Sequence, residues 1–130
     1  MNRSEAIACA ARQKGASGLR RSSTHFANIN AAKEVWWLEI PQTKLAQAGD
    51  LTINLLLYDS RSGILHHLQV PKLFFETHEK QLVIRPEKAC LVLELSSEKA
   101  RQFRDVRPGG DGIEFRPFLK ASWGGDDDPE

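Results

Sequence analysis

The sequence predicts an α+β fold, a predominantly antiparallel sheet of about six or seven strands with two or three short helices. Three observations carry that prediction. The chain has 130 residues, enough for a single domain with one core. Hydrophobic residues make up 41% and charged residues 27%, which suits a folded chain rather than a disordered one. From His25 onward the apolar residues recur mainly at every second position, the period of a strand with one buried face.

The elements follow in order. Ser4 is a candidate cap for a short helix reaching about residue 14, with Gly15 ending it. Its only sizeable apolar side chain is Ile7, so it has little drive to pack. Residues 1–24 therefore read as a basic, flexible arm carrying a short helix, with a Gly- and Ser-rich linker at 15–23. Residues 26–30 and 35–40 read as strands, the second rich in β-branched and aromatic residues and stopped by Pro41. About one helical turn follows at 43–48.

The clearest strand spans 51–58. Leu51, Ile53, Leu55 and Leu57 share one face, and Thr52, Asn54, Leu56 and Tyr58 the other. The turn formers at 59–63 join it to a second strand at 64–70, where His66 lies on the face of Ile64, Leu68 and Val70. Pro71 opens a short helix through Phe75. A further strand pair is expected at 81–85 and 90–96, then a helix at 98–104 capped by Ser97, with Ala100 and Phe103 facing inward. Residues 107–112 are a turn cluster, and 113–119 a last strand that Pro117 confines to an edge. The core domain is thus 25–119, and residues 120–130 form an acidic, disordered tail.

A weak strand–strand–helix repeat runs through this order. Ile40-Pro41 with Lys44-Leu45 is echoed by Val70-Pro71-Lys72-Leu73, although an ordinary meander of hairpins gives similar spacing.

Charge is unevenly placed. The formal net charge is +1, yet residues 1–24 carry +4 and residues 120–130 carry −3. A polycation is excluded, but a basic arm is not. Cys9 and Cys90 form no CxxC pair, so no disulfide framework is expected. With no long apolar run and no signal-like leader, the expected location is cytoplasmic, without membrane contact.

Most chemistries find little support. His66 and His67 are adjacent on a strand and point to opposite faces, and His25 and His78 are isolated, so neither metal nor cofactor is expected. There is no GxSxG elbow. Gly109-Gly110-Asp111-Gly112 precedes a strand-like run, whereas a phosphate loop needs a helix N-terminus. A carboxylate–metal nuclease wants an acid-x-Lys triplet, and none occurs. Asp59-Ser60-Arg61, Asp105-Val106-Arg107 and Glu114-Phe115-Arg116 are the nearest forms, with Arg where a deprotonatable amine is wanted. The enzymatic alternative is a metal-dependent nuclease-like hydrolase with an atypical site at Glu39, Asp59 and Glu94.

Binding is better supported. Arg12, Lys14, Arg20 and Arg21 in the arm, with Arg101, Arg104 and Arg107, are the candidate nucleic-acid contacts. Trp36 and Trp37 point to opposite faces of one strand, so one is expected in the core and the other as a stacking platform or subunit contact. Leu55-Leu56-Leu57 and Trp36-Trp37-Leu38 are apolar on both faces, which argues for a homodimer interface. The sequence thus predicts a non-enzymatic interaction module that binds nucleic acid. The alternatives are the hydrolase and a structural or assembly protein acting as a homodimer.

Overall fold

The computed structural model describes residues 1–13, 19–46 and 51–124. In chain order the elements are α1 (Arg3–Ala11), β1 (Thr24–Asn30), β2 (Val35–Pro41), α2 (Gln42–Ala46), β3 (Thr52–Asp59), β4 (Ile64–Pro71), α3 (Lys72–Thr77), β5 (Val83–Arg85), β6 (Cys90–Ser96) and β7 (Leu119–Gly124). The strands form one seven-stranded sheet in the order β5-β6-β2-β1-β3-β4-β7. Every pairing is antiparallel except β1–β3. The fold is α+β, as the alternation predicts, and the strand–strand–helix order recurs in β1-β2-α2 and β3-β4-α3. The two hairpins are not laid out as a meander. They stand back to back, joined by the parallel β1–β3 pair.

The β3–β4 hairpin has the predicted register, with Leu55 opposite Leu68 and Leu57 opposite His66. Its turn closes where Gly63, at φ 72°, donates its N–H to the Asp59 carbonyl at 2.8 Å, a left-handed conformation that glycine takes without penalty. On the front face, Ile53, Leu55 and Leu57 join Trp36, Leu38, Ile40, Leu68, Val70, Leu91, Leu93 and Leu95 in the main core. Phe75 of α3 and Leu45 of α2 pack onto this face.

Three expectations need correction. The N-terminal helix is capped by Asn2, whose side chain accepts the Glu5 N–H at 2.9 Å, rather than by Ser4. It also packs: Ala6 and Ala10 are wholly buried with Leu56 and Leu65 on the back of the sheet. Small side chains let its backbone lie close to the strands, so the scarcity of large residues does not leave the helix loose.

The helix expected at 98–104 is only a 3-10 turn, Lys99–Arg101. Phe103 instead takes a left-handed conformation (φ 66°) and buries its ring completely, stacked on Trp36 at 5.6 Å. Backbone bonds from Phe103 to Ser96, from Ser96 to Arg104 and from Val106 to Glu94 lay this segment along β6, which a helix would forbid. A non-glycine residue in that region costs about 1–2 kcal/mol, less than burial of a phenyl ring returns.

The last strand is β7, at Leu119–Gly124, not 113–119. It pairs with β4 and carries a register shift at His67/Leu68. The first residues assigned to the tail are therefore part of the sheet, while 125–130 lie outside the described residues.

Leu55, Leu56 and Leu57 are fully buried within one chain, because the core covers one face of β3 and α1 the other. Of the two runs that argued for a subunit interface, Leu55-Leu56-Leu57 is thus covered internally, while Trp37 of the other stays 37% exposed.

A snug α1 makes a testable difference. Ala6→Leu is expected to cost about 1–3 kcal/mol through overpacking, while Ala8→Leu, on the exposed side, stays within about 0.5 kcal/mol. Urea unfolding of both variants measures this, and equal effects would show that the helix does not pack.

Candidate binding face

The back of the sheet has two halves. Over β1, β3, β4 and β7 lies α1, with Phe26, Tyr58 and Trp123 packed around its buried alanines. Over β5, β6 and β2 no helix lies among the described residues, but Gly109 of the 107–112 loop approaches Val83, and Val35, Val92, Glu94 and Ser96 on this face are buried. Alternation decides what this helix-free half presents. Trp36, Leu38 and Ile40 point to the front core, so Trp37 and Glu39 point back, beside Glu94 and Val92 of β6.

Trp37 is 37% exposed, whereas Trp36 is fully buried. The Trp36 indole N–H donates to the Tyr58 carbonyl at 3.0 Å, and the ring meets His66 edge-on at 5.5 Å. Trp36 is therefore a core residue, and the stacking candidate narrows to Trp37. The guanidinium of Arg107 lies 4.5 Å from the Trp37 ring centroid, a cation–π contact. Arg107 also reaches Glu94 at 3.6 Å. Further along, Glu39 pairs with Arg85 at 3.5 Å and Lys88 at 3.7 Å.

The other predicted arginines divide into two groups. Arg101 pairs with Glu98 at 2.6 Å and Arg104 with Glu114 at 3.3 Å. They do not share a helix, and each already has a carboxylate. The arm residues gather at α1: Arg3 opens it, Arg12 caps its C-terminus, and Arg21 donates to Ser4. Arg20 is exposed next to them, and Lys14 lies outside the described residues. Among the described residues Arg3, Arg12 and Arg21 have no carboxylate partner. Asn28 donates to the Met1 carbonyl at 2.7 Å, and one step along the β1–β2 register it stands opposite Trp37. The basic helix thus begins at the border of the helix-free half.

The three carboxylates of the hydrolase alternative do not converge. Glu39 and Glu94 share the back face, but Asp59 lies on the front, held by Arg61 at 3.0 Å. The Arg61 guanidinium, through its hydrogen bonds, holds the Asp59 carboxyl below its usual range. Among the described residues, no three His, Cys, Asp or Glu side chains are grouped to hold a metal ion. Two of the acid-x-Arg triplets instead form Asx turns: Asp59 accepts the Arg61 N–H at 2.9 Å, and Asp105 accepts the Arg107 N–H at 3.2 Å.

One nucleophile–base contact escaped the sequence reading. His66 Nδ1 lies 2.6 Å from the Ser122 hydroxyl. Burial lowers the His66 pKa. The carboxylate nearest in register, Asp59, is committed to Arg61, so no acid orients the ring as a triad requires. Nothing before residue 119 signals Ser122, because its partner is set by the unforeseen β4–β7 pairing. Both cysteines are free, Cys9 buried and Cys90 partly so.

Asp105 lies beside β6, bridged to Leu95, and holds the turn that carries Arg107. It is 1% exposed, and its Oδ1 accepts the N–H groups of Glu94 and Arg107. Its Oδ2 has no partner among the described residues. Burial raises its pKa, against the pull of those two hydrogen bonds.

No helix among the described residues is long and apolar enough to cross a membrane. Comparison with protein-family models, with curated proteins and with solved structures gave no match.

Buried histidines contribute to the acid side of the stability curve. Burial pushes His25 down to about 4, helped by Arg3 and Lys44, and pushes His67 down to about 4, helped by Lys120. His67 shares a 2.9 Å bond with the Asn54 amide oxygen, leaving its Nδ1 without a partner among the described residues. A folded-state pKa below the ordinary 6.5 means that protonation favours unfolding. The stability these groups confer is complete above about pH 6.5 and falls as the pH drops towards 4. Thermal melts at about pH 7 and pH 5 should show a lower midpoint in acid, with a smaller drop in His67→Gln, which cannot take up the proton. An equal drop in both proteins would remove His67 as a cause.

Proposed function

We propose that this chain is a non-enzymatic binding module for single-stranded nucleic acid. The helix-free half of the sheet is the base-contacting floor, and the cations of α1 are the backbone contacts. The observation that carries this reading is Trp37, an indole 37% exposed on the sheet face that no helix covers among the described residues, flanked by a guanidinium and bordered by a basic helix. An indole face stacks on any base, and such stacking contributes about 1–3 kcal/mol per base. Arg3, Arg12 and Arg21 lack carboxylate partners among the described residues and so remain available to phosphates. Arg101, Arg104 and Arg107 are drawn towards acids and contribute less.

Two features favour an unpaired strand over a duplex. A flat sheet with one projecting indole offers stacking, which needs a splayed base. The acids on the floor, Glu39 and Glu94, would disfavour the dense phosphates of a duplex groove.

Fluorescence anisotropy with a labelled mixed-sequence oligonucleotide of about 15 residues, as DNA and as RNA, tests the reading. Binding should weaken with salt. Trp37→Ala should lower affinity about 5- to 150-fold, and Arg3→Ala/Arg12→Ala should reduce the salt slope by roughly 1.4. Point changes are needed because removing residues 1–24 would also strip α1 from Leu56 and Leu65. Absent binding at low salt, or full affinity in Trp37→Ala, would overturn the proposal.

A further inference from the structure

The front face carries a cavity that the binding face does not use. α2 and α3, of 5 and 6 residues, each follow a strand ending in proline, Pro41 or Pro71. Being so short, they meet over β5 and β6 without closing the layer. Between them lies a cavity of about 220 Å³. Its floor is apolar, built from Leu45, Phe75, Ile84 and Leu91, and two carboxylates line it: Glu76 of α3, and Glu79, which opens the 3-10 turn Glu79–Gln81 that follows. Neither carboxylate belongs to an ion pair among the described residues, whereas Glu39 and Glu87, near this end of the sheet, are both paired with Arg85.

We infer that this cavity binds a small organic ammonium ion, a compact apolar body bearing one primary amine. Size sets the body. The cavity exceeds the roughly 150 Å³ that admits benzene and falls below the roughly 300–1,000 Å³ of drug-sized pockets, so one ring with a short tail fits. Charge sets the head group. Glu76, in the last turn of α3, and Glu79, in the 3-10 turn after it, both line the same opening, so an ammonium at the mouth is attracted by both while an anion is repelled. The apolar floor supplies the remaining affinity by losing its contact with water. The cavity and the Trp37 face lie on opposite sides of the sheet, so this site stands independently of the nucleic-acid reading.

The test uses three probes of nearly one shape: 2-phenylethylamine, 2-phenylethanol and 3-phenylpropionate. Each is titrated at about pH 7 into the full-length chain and followed by amide chemical shifts. The amine should bind about three- to tenfold more tightly than the alcohol, and the carboxylate more weakly than either. Shifts should centre on Leu45, Phe75, Ile84 and Leu91. Glu76→Gln/Glu79→Gln, at exposed positions that leave the fold intact, should erase the preference for the amine while keeping alcohol binding. Ala46→Phe, at the lining of the cavity, should weaken all three probes. Equal affinity for amine and alcohol, no binding of any probe, shifts centred elsewhere, or a preference that survives the double glutamine change would each overturn the inference.

Discussion

The parallel pairing of β1 with β3 is the constraint on which the rest of the molecule depends. Five consecutive residue pairs, from Thr24 with Asn54 to Asn28 with Tyr58, join strands 30 residues apart in sequence. A parallel pair needs a long connection, here supplied by β2 and α2. Once it forms, each hairpin has its second strand outward, β2 on one side and β4 on the other, and β6 and β7 add beyond them. The pair also places β3 in mid-sheet, where a strand must be apolar on both faces. Leu55, Leu56 and Leu57 satisfy that requirement, and α1 is needed because Leu56 would otherwise face water.

The two faces then take on different work. The front is an apolar layer that includes Trp36, Phe75, Phe103 and Phe115 and is left open at the cavity between α2 and α3. The back is covered by a helix only as far as α1 reaches; beyond it the 107–112 loop approaches Val83. A nine-residue helix is about 13 Å long, too short to shield a sheet of seven strands. The strands beyond it bear charged and aromatic residues, Trp37, Glu39, Arg85 and the buried Glu94, with Arg107 of the following loop laid over Trp37 and Glu94. The candidate interface is in this sense a result of helix length, and Asp105, lodged beneath the 107–112 loop, fixes how Arg107 approaches the indole.

Much of the fold was legible in the sequence because alternation is a local signal. Strands β2, β3, β4 and β6 alternate cleanly or carry β-branched residues, and proline marks two of their ends. The failures share one cause, a partner distant in sequence. β7 reads Leu-Lys-Ala-Ser-Trp-Gly, with no alternation of its own, and is a strand because β4 offers it an edge. Phe103 sits in a stretch with helical spacing, yet the space beside Trp36 and His66 draws its ring inward and turns the backbone left-handed. α1 lacks large residues, and the value of its alanines appears only against the strands they approach. For the site, the opposition of Trp36 and Trp37 was readable from period two. The approach of Arg107 to Trp37 was not, since 70 residues separate them.

The register shift between β4 and β7 bears on what the sheet does when many copies meet. An open edge strand exposes unpaired backbone groups, and a core this rich in leucine would be hazardous if neighbouring molecules could extend it strand by strand. At β7 the irregularity at His67/Leu68 bends the outermost strand away from a flat line, and exposed Lys120 sits beside it. A bent edge carrying a lysine offers poor hydrogen-bonding register to an incoming strand and imposes a desolvation cost on docking. The shifted pairing of β7 thus makes this edge a poor template for a further strand.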